Sequence, residues 1–313
     1  MKANEIRTRA GWIPLALLVC VAGAHWAVFL RGGAWSIGAF LSLMSLLPLL
    51  ALVVWIGTLV RTVLVKQRFV RLLVTHVVTV FCLWPLGWNV MLFPIAFPYA
   101  IDTVKPTSSI RVPTDRPMLV AWGGDDIEHN YHAMLPDQRW AYDLTVEPAF
   151  TGSKRLEDYG CFGVTVVAPA SGRVHVAHDG ERDHVPGAVS RELERPLGNH
   201  VVIELANGAF LLVAHLREGS VVAREGASIM EGEPIGQCGN SGNTSEPHVH
   251  VHTQRQDPRE RPVGLAEGLP LYFHGHDGTP MPLGGFDRVG TKGVTRTATG
   301  AVIRHAATPT PPS

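Results

Sequence analysis

The sequence contains little cysteine and little charge, and these two deficits exclude several classes of protein. Four cysteines in 313 residues are too few for a scaffold built on disulfides. Lys and Arg together number 27, as do Asp and Glu, so the formal net charge is zero and no nucleic-acid partner is expected. The polar part of the chain also lacks a long amphipathic helical pattern, which argues against alternating strands and helices.

Charge is scarcest in the first hundred residues, and we expect residues 1–100 to anchor the chain in a lipid bilayer. Three apolar stretches there are each long enough to cross about 30 Å of hydrocarbon as a helix. They cover approximately residues 11–30, 34–60 and 72–97. An alternative for the first stretch is a cleaved signal peptide, because Ala22-Gly23-Ala24 supplies small residues near its end.

The distribution of basic residues predicts the orientation of this anchor. Only Arg31 lies between the first and second stretches. The other basic residues precede the first stretch or lie between the second and third: Lys2, Arg7, Arg9, Arg61, Lys66, Arg68 and Arg71. Because cytoplasmic loops are enriched in Lys and Arg, we expect the N-terminus in the cytoplasm. Everything after the third stretch should then lie outside the cytoplasmic membrane, or in the periplasm.

Three segments follow the apolar region. Residues 101–117 are rich in Pro, Ser and Thr and are predicted to be a linker. Residues 118–286 contain short β-branched runs separated by Gly, Asn, Asp and Pro, a pattern typical of an antiparallel all-β domain of the barrel or sandwich type. Residues 287–313 have little to bury and are predicted to be a flexible tail.

The first chemical signal in the β domain is a run of alternating histidines, His248, His250 and His252. On a strand these three side chains would project from one face. Imidazole nitrogen is a preferred zinc ligand. The motif alone is weak evidence, since a solvated edge strand can carry the same pattern.

Two further residues strengthen the interpretation as a metal site. His215 ends an apolar strand at a position where another hydrophobic residue would be expected. Asp143 follows the aromatic residues Trp140 and Tyr142 at strand spacing. A carboxylate and imidazoles, with one coordination position left for water, make up a hydrolytic zinc site.

The order of motifs from about Tyr131 to Gln254 resembles the lysostaphin/LytM zinc metallopeptidases. The resemblance rests on six segments in order, namely residues 163–174, 198–203, 214–221, 232–236, 239–244 and 247–250. It implies a β fold of the duplicated hybrid motif type, a single Zn²⁺ ion, and hydrolysis of peptide cross-links in peptidoglycan.

The resemblance also implies roles for individual residues. Asp143 and His250 would be zinc ligands. His215 and His248 would be unligated catalytic histidines, which handle the proton of the attacking water and stabilise the oxyanion. The remaining implied residues would form the substrate-binding groove, as backbone donors or by packing, and are Asn199 and Asn240.

The first metal motif departs from the family pattern H-x-x-x-D, because Arg139 stands four residues before Asp143. The predicted substitute ligand is His132, with His129 or no third protein ligand as alternatives. His252 is predicted to be exposed. If Arg139 abolishes activity, the alternative function is a degenerate module that binds cell wall or activates another hydrolase.

The sequence does not indicate which peptide bond is cut, the oligomeric state or the protein partners. It also leaves open whether Cys161 pairs with Cys238.

Overall fold

The computed structural model describes residues 12–30, 34–64, 69–187, 190, 192–261, 264–286 and 298–306. Contacts divide the chain into two compact units, with the boundary between Pro98 and Tyr99.

The first unit is helical over most of its described residues. Its helices are α1 (Ile13–Leu30), α2 (Ala34–Met44), α3 (Leu46–Leu64), α4 (Phe69–Leu83) and the single turn α5 (Leu86–Asn89). By length and composition alone, two helical segments of the described part could cross a membrane, Leu46–Leu64 and Val70–Asn89.

The predicted spans differ from the observed helices in two places. The stretch 34–60 is two helices rather than one, with a break at Ser45. Pro48 explains the break, because its ring would clash with the carbonyl of Met44 in a continuous helix but is tolerated in the first turn of α3. The stretch 72–97 loses its helical conformation after Asn89. Most of the basic residues that predicted the orientation lie outside the described residues, namely Lys2, Arg7, Arg9, Arg31, Lys66 and Arg68.

The second unit is built from β strands, which confirms the prediction of an antiparallel β domain. In chain order they are β1 (Ser108–Ile110), β2 (Met118–Trp122), β3 (Tyr142–Thr145), β4 (Thr165–Val167), β5 (Gly172–His178), β6 (Asn199–Glu204), β7 (Phe210–Leu216), β8 (Ser228–Ile229), β9 (Pro234–Gln237), β10 (Val249–Gln254), β11 (Gly268–Leu269), β12 (Leu271–Phe273) and β13 (Val302–Ile303). The main sheet has the order β13-β2-β3-β10-β7-β6-β5-β8, and β11 also pairs with β10. Every pairing in it is antiparallel.

Strand β10 carries the histidine run and lies between β3 and β7. His250 is opposite Asp143 of β3 on one side and Ala214 of β7 on the other. Both faces of the strand are buried. The alternation of Val and His therefore separates an apolar face, with Val249 and Val251, from a polar face that bears the histidines.

A separate two-stranded sheet brings together the two cysteines whose pairing could not be predicted from the sequence. Strands β4 and β9 pair in antiparallel fashion. Just beyond them, the amide of Cys238 donates to the carbonyl of Val164, and the amide of Gly163 donates to the carbonyl of Cys238. This pairing brings Cys161 and Cys238 to a Cα separation of 5.7 Å, and they form a disulfide.

The predictions of a linker and of a flexible tail are wrong for two short segments. Within residues 101–117, β1 pairs in parallel with β12, and Ile110 is completely buried. Within residues 287–313, β13 pairs with β2, and Ile303 is 2% exposed. Average composition concealed these segments, because strands as short as β1 and β13 change the composition of a longer segment very little. Residues 287–297 and 307–313 lie outside the described part of the chain.

Candidate metal centre

Three elements bring His132, Asp143 and His250 together. Asp143 and His250 are directly opposite each other on the paired strands β3 and β10. His132 lies on a short 3-10 helix, Tyr131–Met134, whose first turn is capped by the buried side chain of Asn130. One ligand atom from each of the three residues lies within 4.8 Å of the other two, and all three residues are buried.

The carboxylate of Asp143 is the centre of this cluster. One oxygen lies 2.7 Å from Nδ1 of His250 and 3.5 Å from Nε2 of His248. The other lies 2.9 Å from Nε2 of His132 and accepts a hydrogen bond of 3.3 Å from the hydroxyl of Tyr131. Four polar groups therefore converge on one buried carboxylate.

Burial and charge set the protonation of the cluster. Burial opposes ionisation of Asp143, but the neighbouring His132 and His248 outweigh it and hold the pKa of Asp143 well below its usual value. Burial lowers the pKa of His250, although Asp143 acts in the opposite direction. The residues thus present a carboxylate beside a neutral imidazole, which is the protonation state that a divalent cation requires.

His215 reaches the cluster through an unusual backbone conformation. In a regular strand its side chain would point to the same face as Val213, away from His250. Its φ is +62°, which turns the side chain over. The ring lies 4.8 Å from that of His248 between centroids, and its Nδ1 donates to the carbonyl of Ser241 at 2.8 Å. Burial, followed by the charges of His248 and His250, holds the pKa of His215 well below its usual value.

His248 has the opposite electrostatic balance. Burial lowers the pKa of His248, but the carboxylate of Asp143 outweighs burial and raises it. Nδ1 donates to the carbonyl of Glu246 at 2.7 Å, so Nε2 faces Asp143. The two histidines thus differ in the environment of their rings although they stand side by side.

All five residues border one cleft of about 430 Å³. Aromatic residues form part of its wall. Trp122 packs edge-on against Tyr131 with ring centroids 5.1 Å apart, and Phe150 also lines the cleft. The cleft thus has apolar side chains beside its charged cluster, an arrangement suited to an organic substrate.

Arg139 does not occupy the site. Its guanidinium donates to the backbone carbonyl of Asp125 at 2.7 Å and pairs with the carboxylate of the same residue at 3.0 Å. It also lies over the ring of Trp140. The guanidinium of Arg139 is therefore engaged by Asp125, and the third residue of the cluster is His132.

Neither asparagine that the resemblance assigned to the groove lines the cleft. Asn199 is completely buried, and its amide exchanges hydrogen bonds with the backbone of Glu181 and donates to the carbonyl of Leu216. Asn240 is equally buried and donates to the carbonyl of His184. Of the two expected roles, these contacts match packing of the loops beside the groove rather than contact with a substrate.

The structure corrects the prediction for His252 and places His129 outside the cluster. His252 is 2% exposed rather than solvated, and its ring lies between the side chains of His250 and Gln254. His129 pairs with Asp126 and is not among the clustered ligands. Sequence reasoning missed Tyr131, whose hydroxyl reaches Asp143. Its position next to His132 was the available signal.

The donor set fits zinc. Two imidazole nitrogens and one carboxylate oxygen are the usual three protein ligands of a catalytic zinc ion, which keeps a fourth position open. Nδ1 of His250 and an oxygen of Asp143, only 2.7 Å apart, both bear lone pairs when the imidazole proton is on Nε2. Two lone pairs at this distance repel each other, and a cation between the two atoms would remove the repulsion.

A sequence model described as Peptidase family M23 matches residues 157–262, about one third of the chain. A search of curated proteins gives no match.

Among solved structures, the chain is similar to a zinc-containing peptidase from Vibrio cholerae, at 17% identity and a TM-score of 0.31 over 47% of this chain and 36% of that one. The chain thus spans about a third of that protein. It is similar to the catalytic domain of lysostaphin from Staphylococcus simulans, at 18% identity and a TM-score of 0.27 over 46% and 89% of the two chains. It is also similar to a chain of the SpoIIIAH–SpoIIQ complex, at 18% identity and a TM-score of 0.32 over 51% and 96%. The region from residue 157 to residue 262, which holds His215, His248 and His250, belongs to peptidase family M23.

Proposed function

We propose that the chain is a zinc-dependent metalloendopeptidase that hydrolyses peptide cross-links of peptidoglycan. The observation that carries the proposal is the convergence of His132, Asp143 and His250 on the floor of a cleft that His215 and His248 also border. His132 would replace the histidine that the family pattern places at Arg139. Family M23 typically consists of zinc peptidases that act on peptidoglycan.

The three clustered residues would hold one zinc ion, which when bound supplies a Lewis acid and lowers the pKa of water to about 7. His215 and His248 each donate Nδ1–H to a backbone carbonyl, so Nε2 is the unprotonated nitrogen of each ring in its neutral form. One Nε2 accepts a proton as the oxygen of water bonds to the peptide carbonyl carbon. That proton passes to the leaving nitrogen when the C–N bond breaks. The other ring, when protonated, donates to the oxyanion.

We further propose that the β domain lies outside the cytoplasmic membrane. The apolar segments Leu46–Leu64 and Val70–Asn89 have the length and composition to anchor it. The Cys161–Cys238 disulfide suits an oxidising compartment, since cytosolic proteins seldom keep such bonds. Peptidoglycan lies on that same side of the membrane.

A competing proposal keeps the cleft but not the hydrolysis, so that the domain binds cell wall or activates another hydrolase. The observation in its favour is the altered first motif, since Arg139 is committed to Asp125 and leaves the third ligand to a residue eleven positions before Asp143. Metal content and activity separate the two proposals.

Zinc content tests the ligand set. We expect the full chain, purified in detergent, to bind about one zinc ion, as the donor set implies. His132→Ala should lose most of this binding, while the matched variant His129→Ala should keep it, because His129 lies outside the cluster. Equal zinc content in the two variants would remove His132 from the site.

Digestion of peptidoglycan tests the reaction. Full chain in detergent is incubated with purified peptidoglycan, and soluble fragments with new amino termini are identified by mass spectrometry. Loss of proton transfer in His248→Ala should slow their release by about 10²-fold or more, with His129→Ala as the control. Identical fragment profiles for wild type and His248→Ala would overturn the enzyme proposal and favour the binding module.

A further inference from the structure

The side of His250 that faces away from Asp143 is occupied by a chain of hydrogen bonds along β10. Nε2 of His250 lies 2.9 Å from Nδ1 of His252. Nε2 of His252 lies 3.3 Å from Oε1 of Gln254, whose Nε2 donates to the carbonyl of Gln256 at 2.7 Å. The three side chains are between 2% and 4% exposed. They share one face of the strand because they alternate along it.

The donor and the acceptor of each of these hydrogen bonds are fixed, because the carbonyl of Gln256 at the end of the series can only accept a hydrogen bond. A backbone carbonyl carries no proton, so the amide nitrogen of Gln254 must face Gln256 and its oxygen must face His252. That oxygen is also only an acceptor, so Nε2 of His252 carries the proton. Nδ1 of His252 then presents a lone pair, and Nε2–H of His250 donates to it.

The direction of these hydrogen bonds determines which ring nitrogen of His250 has a lone pair available for a metal ion. With its proton on Nε2, a neutral His250 presents a lone pair at Nδ1, 2.7 Å from the oxygen of Asp143. Two acceptors at that distance repel each other unless a cation lies between them. We infer that His252 and Gln254 are positioning residues, which fix the tautomer and ring orientation of His250 for a divalent cation held with His132 and Asp143.

This inference rests on the proposed zinc site, and it assigns a role to two residues that do not themselves bind the ion. Partners of this kind commonly change metal affinity by about 10- to 100-fold when they are removed. The sequence pattern H-x-H-x-Q over residues 250–254 places all three members on one strand face.

Zinc affinity of the full chain in detergent, measured against a competing chelator, tests the role. His252→Leu removes the acceptor for His250 and should weaken zinc binding by about 10- to 100-fold. His252→Gln can present an amide oxygen in its place and should recover most of the affinity. Thr253→Val is the matched control, because Thr253 is equally buried on the same strand but faces away and donates to the carbonyl of Leu269. Its affinity should equal that of wild type.

The ¹⁵N NMR spectrum of the wild-type chain labelled with ¹⁵N-histidine provides a second readout, which requires no substitution and so cannot be affected by misfolding of a variant. We expect His252 to be protonated at Nε2 and unprotonated at Nδ1, both without metal and with zinc. A proton on Nδ1 of His252, or wild-type zinc affinity in a folded His252→Leu, would overturn the inference.

Failure of the two proposals would look different. If the wild-type chain bound no zinc, the zinc site would be rejected, and the positioning of a cation with it, whatever the state of His252. If the chain bound zinc but His252 carried its proton on Nδ1, the zinc site would stand and the positioning role would fall.

Discussion

The backbone of His215 is held in a conformation that few side chains tolerate. A positive φ is uncommon for residues other than glycine, and it costs about 1–3 kcal/mol unless the surroundings compensate. Here the amide of His215 donates to the carbonyl of Leu197, and its carbonyl accepts from the amide of Gly239. These two hydrogen bonds hold the backbone of His215 in this conformation, and the conformation places its ring beside that of His248.

This geometry predicts how substitutions at position 215 differ. His215→Asn should fold nearly as well as wild type, because Asn tolerates the left-handed region and its amide can donate to Ser241. His215→Val should unfold about 1–3 kcal/mol more easily than His215→Asn, since a β-branched residue fits poorly at a positive φ. Chemical denaturation of both variants measures the difference. Equal stability would show that φ at this position relaxes, and both variants should lose activity if His215 is catalytic.

At the scale of the elements, β13 acts as the outermost strand of the main sheet. Ile303 is 2% exposed, whereas its neighbour Val302 is 60% exposed. Both pair with β2, at Met118 and Leu119. The strand therefore buries one residue in two, and it covers an edge of β2 that would otherwise present unpaired backbone groups.

The two residues of β13 form a matched pair for a stability measurement. Ile303→Ala should reduce the free energy of unfolding by about 2–4 kcal/mol, because it leaves a cavity in a packed position. Val302→Ala should change it by less than about 0.5 kcal/mol, as expected at an exposed site. Denaturation of the full chain in detergent, followed by tryptophan fluorescence, gives both values. If neither substitution had an effect, the segment would behave as the flexible tail that its composition suggested.

At the scale of the whole molecule, the Cys161–Cys238 disulfide closes a loop that contains much of the main sheet. The two cysteines are 77 residues apart in sequence, and β5, β6 and β7 lie between them. A crosslink over so long a loop reduces the conformational freedom of the unfolded chain. Cys20 and Cys82 remain as free thiols.

Removal of this disulfide should destabilise the β domain. We expect the double variant Cys161→Ser, Cys238→Ser to lose about 2–5 kcal/mol of unfolding free energy, and a reductant to have the same effect on wild type. Cys20→Ser, at an exposed free thiol, is the control and should match wild type. Unfolding curves that were the same with and without reductant would contradict the expectation.

The sequence by itself determined the features that depend on local pattern. Apolar stretches without charge predicted the helices, and β-branched runs between turn residues predicted the antiparallel domain. The order of short motifs predicted the peptidase family, which the match over residues 157–262 shows. Alternation along one strand is enough to place His248, His250 and His252 on one face, because side chains repeat every two residues.

Only the tertiary structure decided which residues meet. His132 is eleven residues from Asp143 and more than a hundred from His250, and no local pattern fixes such distances. Burial of His252 depends on side chains from distant segments, such as Asp137, and the direction in which Arg139 points depends on the loop that holds Asp125. The pairing of Cys161 with Cys238 likewise follows from β4 and β9. Each of these outcomes is a long-range contact, whose position is set by strand register and packing rather than by the residues next to it in the chain.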